Sequence, residues 1–544
     1  MSKSVAAQLI AYAKKLLVLS CCLACSAVYA QDYNHPAVDV QHYSFNLSLN
    51  DDNDSIRGET AITMLVLESI KSFDLDLTKK NDTGRGMTVT SVICNQHAVS
   101  FSQGDQRVHI NTTAGRGDTL HCVIKYEGIP ADGLIINKNK YGHRSFFGDN
   151  WPNRGHNWLP CIDNPIDKAS VDFIVTAPDH YQVIGNGLQV EENNIAGHQK
   201  QTHWKETVAL PVKVMVIGVA DFAVNYNGDV DCIPVYSWVY PEDKDNGFYD
   251  YAQAKDILPF FIHRVGSYAY RKLANVQSKT KFGGMENASA IFYSENSVQG
   301  NRQSEALLAH EIAHQWFGNS VTEKSWPHVW LSEGFATYMT HLYFESAHGA
   351  DSFQKRLKED RALVVAFSKK RNTPVVDSSE SSDFLQLLNA NSYQKAGWVL
   401  HMLRRKLGDT IFWKGIRAYY TQYAGKNAAT EDFRKTMETV SGKNLQSFFR
   451  QWLFLAGQPL LRKSIQYDAR KKMARITIQQ VQDRLFDFPL QLMMESGNGK
   501  QIKTMDIKNK VTTLSVASPD GSLKIQLDPN VNLLFEEADT VAGN

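Results

Sequence analysis

Only seven of the 544 residues are cysteine, and the four beyond residue 30 show none of the paired Cys-x-x-Cys spacing of a structural zinc framework. Long apolar runs are missing after the first thirty residues, which excludes a polytopic membrane protein. No basic cluster is present either. Lys and Arg number 58 against 57 Asp and Glu, so the chain lacks the electrostatic footprint of a nucleic-acid binder. There is no internal repeat or low-complexity tract. What remains, 43% hydrophobic and 21% charged residues, is an ordinary globular composition, long enough for two or three domains.

Lys3, Lys14 and Lys15 precede a short apolar run from Leu16 to Val28 that ends in Val28-Tyr29-Ala30, the pattern of a cleavable export signal over residues 1–30. The run is shorter than the roughly 20 residues a membrane span needs. Cys21, Cys22 and Cys25 inside it leave lipoprotein anchoring as the alternative to a periplasmic or secreted protein. Export would leave Cys94, Cys122, Cys161 and Cys232. Cys94 and Cys122 lie in strand-like runs and are either a disulfide in an oxidising compartment or two buried thiols.

From about residue 40 to 225 the apolar period is two: Phe45, Leu47, Leu49; Ile62, Met64, Val66; Phe73, Leu75, Leu77. This predicts an antiparallel, largely all-β domain over 31–225. From about 246 the spacing becomes helical through Tyr251 to Val265, Ser304 to Phe317, Val329 to Phe344, Lys395 to Leu407 and Leu445 to Leu455, which predicts a mostly helical domain over 226–457. Alternation returns beyond Pro459, in a small β domain over 458–544. Asp377 to Asp383 reads as a polar, Ser-rich loop between helices.

The strongest chemical signal is His310-Glu311-Ile312-Ala313-His314 within a helical run. Four residues of helix turn about 400°, so both imidazoles project from one face and can share a metal. A helix with two surface histidines is the bland alternative. Against it, Ala309, Ile312, Ala313 and Trp316 make the helix apolar beside the histidines. Glu333 follows His314 after 18 residues, on a second helical run, where it can supply a third ligand. Two nitrogens, one oxygen and an open fourth position describe catalytic zinc, with Glu311 placed to act as general base. Peptide hydrolysis follows naturally from that chemistry. Its oxyanion needs a donor, for which Tyr393 is a candidate, although a lone tyrosine at such a place is more often a core residue.

Four segments carry a resemblance: Gly283-Gly284-Met285-Glu286-Asn287, His310 through Asn319, Trp330 through Ala336 with Glu333 among them, and Tyr393-Gln394-Lys395. In order and spacing the chain resembles the zinc aminopeptidases of the aminopeptidase N and leukotriene-A hydrolase family. The likeness extends to Trp158-Leu159-Pro160-Cys161 and Leu527-Asp528-Pro529. It implies a multidomain α+β fold with a saddle-like antiparallel β domain, a thermolysin-like domain and a small β-sandwich, without room for the large helical domain of many members. It implies one Zn2+ on His310, His314 and Glu333, Glu311 as base, Tyr393 as oxyanion donor, and Glu286 binding the α-ammonium of a peptide with a free N-terminus.

Gly283 and Gly284 would let a peptide backbone approach an extended edge, although by themselves they also read as a plain turn. Where the family often has Gln-x-Glu-Pro, this chain has Asp149-Asn150-Trp151-Pro152. Either Glu286 acts alone, or Asp149 supplies a second carboxylate while Trp151 walls the pocket for the first side chain; Asp149 could equally cap a loop. Two other functions compete with an aminopeptidase: a thermolysin-like endopeptidase, which has no need of Glu286, and a non-catalytic peptide binder, against which intact Glu311 and Tyr393 speak.

Overall fold

The computed structural model describes residues 37–379, 383–496, 499–518 and 521–538. The export signal expected over 1–30 lies outside them, as does part of the Ser-rich loop. Alternation sends Tyr43, Phe45 and Leu47 of Val38–Ser48, and Ile62, Met64 and Val66 of Ile56–Val66, into one interior. These two strands are central in an eight-stranded sheet that also holds Thr119–Ile129, Gly86–Cys94, Ala169–Pro178 and Gln199–Leu210.

Its ladders are antiparallel except one. Val38–Ser48 pairs parallel with Ala169–Pro178, Phe45 opposite Phe173, the one exception within the antiparallel domain expected. The two strands are joined by a long excursion through the rest of the domain rather than by a hairpin, and only a long connection permits parallel pairing. Cys94 and Cys122 face each other in register on neighbouring strands and form a disulfide, their Cα atoms 4.2 Å apart. Cys161 is a buried free thiol and Cys232 an exposed one.

The middle of the chain holds more than helices. A five-stranded mixed sheet runs in the order Ala223–Val230, Ile233–Val239, Leu273–Ser278, Ala290–Ser294, Gly284–Met285. Leu273–Ser278 is buried at every residue, and Ala290–Ser294 at all but its last, so neither offers alternation to a period-two reading. Its first strand crosses the boundary expected at 225. Around it pack the helices that matter for the site: α1 (Glu305–His314), α2 (Trp330–Ser368, interrupted at Gly349) and α3 (Ala396–Leu407). The C-terminal region forms a four-stranded and a three-stranded sheet.

The N-terminal and middle regions meet across a seam that holds both buried polar contacts and aromatic packing. Lys213 and Glu323, both buried, form an ion pair across it. Lys168 donates to the carbonyls of Asn319 at 3.1 Å and Ser320 at 2.9 Å. Phe147 meets Phe292 of the five-stranded sheet edge to face at 5.6 Å. Among the described residues, no helix is long and apolar enough to cross a membrane.

Candidate active site

α1 buries Leu308, Ala309, Ile312 and Ala313 completely, and its remaining face carries His310, Glu311 and His314 into a cavity of about 260 Å3. The chain leaves the helix through Gly318, whose φ of +122° disfavours other residues. A side chain there would also overlap Ser332 Oγ and crowd His314 Nδ1. α2 then returns against α1 and brings Glu333 into the same cavity. Tyr393 sits in a π-helical turn, Asn391–Lys395, immediately before α3, and its ring stacks on His310 at 5.9 Å. Such widened turns recur at functional sites.

Three donor atoms converge. His310 Nε2 lies 3.1 Å from His314 Nε2, and Glu333 Oε2 lies 3.5 and 3.3 Å from the two imidazoles. A tetrahedral zinc with bonds of about 2.0–2.1 Å needs donors ~3.3 Å apart, so the triangle fits that ion. His314 Nδ1 is 3.0 Å from the Phe317 carbonyl, an acceptor, which assigns the ring proton to Nδ1 and leaves the Nε2 lone pair for a metal.

The charges agree with a cation site. Three buried carboxylates, Glu286, Glu311 and Glu333, surround two imidazoles. Burial disfavours a charged His314, yet Glu333, Glu286 and Glu311 push its pKa up to about 10. Burial also opposes ionisation of Glu333, but His314 and His310 hold it well below the usual carboxylate range. Glu311 is pushed well upward by burial, partly offset by His314 and reinforced by Glu286 and Glu333. Tyr393 is raised well above its ordinary value by burial and the three carboxylates, so its phenol stays protonated and able to donate.

Gly284–Met285 is the edge strand of the five-stranded sheet, paired on one side only with Ala290–Ser294. Gly283, Gly284, Met285 and Glu286 all line the cavity, together with Trp151. A side chain at Gly284 would overlap the Glu311 carboxylate. Glu286 is 5% exposed, and its Oε1 has no hydrogen-bond partner.

Two residues named with these do not join them. Asn287 is wholly buried and does not line the cavity. Asp149 is likewise fully buried, and its carboxylate is consumed: Arg154 Nη2 donates to it at 2.6 Å, Lys281 N at 2.9 Å and Thr280 Oγ1 at 3.2 Å. The expectation that Asp149 supplies a second amine-binding carboxylate is therefore corrected. Its role is to hold the Lys281 backbone and Arg154.

Sequence reasoning missed Phe282, Leu307 and Leu388, which complete the cavity wall. Phe282 immediately precedes the Gly-Gly pair and could have been drawn in by proximity. Leu388 carries no chemical signal. Gln315 and Asn319 stood inside the quoted zinc-helix segment without a role.

Comparison with known proteins agrees with this geometry. Residues 39–212 match the peptidase M1 N-terminal domain and residues 249–452 the peptidase family M1 domain. A probable aminopeptidase 2 of Sulfurisphaera tokodaii is 27% identical over 468 residues, 81% of this chain and 58% of that protein. Aminopeptidase M1-C of Oryza sativa subsp. japonica is 30% identical over 330 residues, 56% of this chain and 36% of that protein. The chain thus spans little more than half the length of the first relative and about a third of the second. In structure it is similar to an M1 zinc metallopeptidase from Deinococcus radiodurans, with a TM-score of 0.67 at 22% identity, covering 77% of this chain and 94% of that one, a likeness of fold. With both of its domains matched in their proper order around the His310, His314 and Glu333 triangle, the chain belongs to peptidase family M1.

Proposed function

We propose that this chain is an exported zinc aminopeptidase that hydrolyses the N-terminal bond of peptides. The observation that carries the reading is Glu286, whose carboxylate shares the cavity with the donor triangle and Glu311 while its Oε1 lacks a partner. Burial raises the Glu286 pKa and so disfavours its ionised form, and a substrate ammonium is the partner that would hold it charged. The relatives named as aminopeptidases support the same chemistry.

One zinc ion held by His310, His314 and Glu333 would supply Lewis acidity toward the scissile carbonyl and lower the pKa of water toward about 7. Glu311 takes the proton of the attacking water and delivers it to the leaving amine. Tyr393 donates its phenolic hydrogen to the developing oxyanion. The edge strand at Gly284–Met285 offers main-chain groups to an extended peptide, and Glu286 ends the cleft with a negative charge. Trp151, Phe282, Leu307 and Leu388 make the remaining wall apolar and aromatic, which favours large hydrophobic or basic first residues. The signal-like residues 1–30 and the Cys94–Cys122 disulfide support export to the periplasm or medium.

A panel of aminoacyl fluorogenic substrates, with and without chelator, tests the reading. Free-amine substrates should be cleaved, chelation should abolish the cleavage, and N-acetylated peptides should resist it. Efficient cleavage of the acetylated peptides would replace the reading with an endopeptidase.

A further inference from the structure

The Glu286 carboxylate has no salt bridge to hold it, so something else must fix the place where it meets a substrate. Its own main-chain carbonyl provides the answer. Gln315 Nε2 donates to that carbonyl at 2.8 Å and Asn319 Nδ2 donates to it at 2.6 Å, occupying both lone pairs. The other end of the Gln315 amide accepts from Ser289 N at 2.9 Å. One side chain therefore spans residues 286 to 289, a loop that Ser289 closes with a φ of +61°, unfavourable for a residue with a side chain. Gln315 and Asn319 are both buried and follow directly on the helix that carries His310 and His314.

A third contact comes from the N-terminal region. Lys168 Nζ donates to the Asn319 carbonyl at 3.1 Å as well as to Ser320 and Lys426. Asn186 Nδ2 donates to the Ala288 carbonyl at 2.7 Å from the same side of the seam. The loop is clamped between the end of α1 and the β domain.

We infer that Gln315 and Asn319 are positioning residues that set the distance between the Glu286 carboxylate and the metal donors, and so the register of the substrate's ammonium against its scissile bond. Metal triad and amine anchor are thereby parts of one rigid unit, with Lys168 steadying it from the neighbouring domain. Productive geometry demands placement to a fraction of an ångström, and a carboxylate on an unclamped loop does not provide it. The inference rests on the proposed role of Glu286 in binding an ammonium.

The test compares two inhibitors of the zinc-loaded protein that differ only in the presence of the α-amine, with affinity measured by calorimetry and zinc content and Tm recorded for every variant. Asn319→Leu and Gln315→Leu should each weaken the amino inhibitor tenfold or more and leave the des-amino inhibitor within about twofold. For substrate, KM should rise much more than kcat falls. Lys168→Met, which leaves the two amides in place, should give a smaller shift of the same kind, and it also serves if either Leu variant fails to fold. Equal losses for both inhibitors would mean a merely structural role and overturn the inference, as would no loss for either. Glu286→Gln separates the two levels. If it discriminates between the inhibitors while the positioning variants do not, the clamp is wrong; if it does not discriminate, the ammonium reading itself is wrong.

Discussion

Two groups of charge meet at Trp151, one in the cavity it lines and one bonded to its carbonyl, and they are built on opposite plans. In the cavity, Glu286, Glu311 and Glu333 outnumber the two imidazoles, and Glu286 Oε1 is left without any partner. Behind Trp151, Arg154 donates to the Trp151 carbonyl at 2.7 Å and binds both Asp149 and Asp132, while Lys281 completes the pairing of Asp132 at 2.8 Å. The second group is internally satisfied and therefore stabilises the wall. The first is unsatisfied, as the proposed binding of a cation and an ammonium requires. Glu286 and Asp149 are both buried yet serve different ends, and their partners tell them apart.

If this contrast holds, substitutions in the cavity should remove activity with little loss of stability, and those behind Trp151 should do the reverse. The largest effect is expected from the metal donors. Chelation or His310→Ala should abolish hydrolysis, with added zinc restoring only the unmutated protein; full activity in protein shown by elemental analysis to be metal-free would end the zinc reading. Next, Glu311→Gln should keep zinc but lower kcat by roughly a thousandfold or more. Loss of zinc in that variant would make Glu311 a ligand instead. Tyr393→Phe should lower kcat by roughly a hundredfold with little change in KM, and near-normal kcat would return Tyr393 to the core.

Asp149→Ala should leave activity per folded molecule largely intact yet destabilise the protein by about 1–3 kcal/mol, because it leaves buried donors of Arg154 and the Lys281 backbone unsatisfied. A selective loss of affinity for free-amine substrates would restore the role first expected of Asp149. The last effect is a matter of pH. Burial raises the pKa of Asp167 to about 8, with its backbone bond to Val40 opposing and Asp39 adding. The unfolded chain releases this proton near pH 4 while the folded one retains it to about 8, so stability falls as pH rises through that window. Denaturant titrations of Asp167→Asn should show a shallower decline over pH 5–8, and parallel curves would mean that Asp167 ionises normally.

Much of the site was legible because helical periodicity links His310 to His314 through a fixed geometry, and because metal chemistry restricts the third ligand to a few residue types. Strands such as Val38–Ser48 were legible through alternation, since one face of their sheet meets water. Leu273–Ser278 was not, because a strand buried on both faces has no polar side to alternate with. Asp149 misled for a related reason. Sequence reports that a carboxylate is near the cleft in the chain, but its hydrogen-bond donors come from Arg154 and from Thr280 and Lys281, and the latter two are brought beside it only by the fold. Gln315 and Asn319 were invisible because amides bound to main chain carry no motif beyond their own position.

The ion pair between Lys213 and Glu323 bears on how the two halves of the molecule can move. Full separation would return both charges to water and relieve their desolvation, so parting is not the motion this pair opposes most strongly. Sliding is. A displacement of a few ångströms along the seam would leave each charge dry and facing the wrong neighbour, with no solvent to repay the loss. The contact therefore acts as a dowel rather than a glue: it favours one alignment of the two halves over shifted ones.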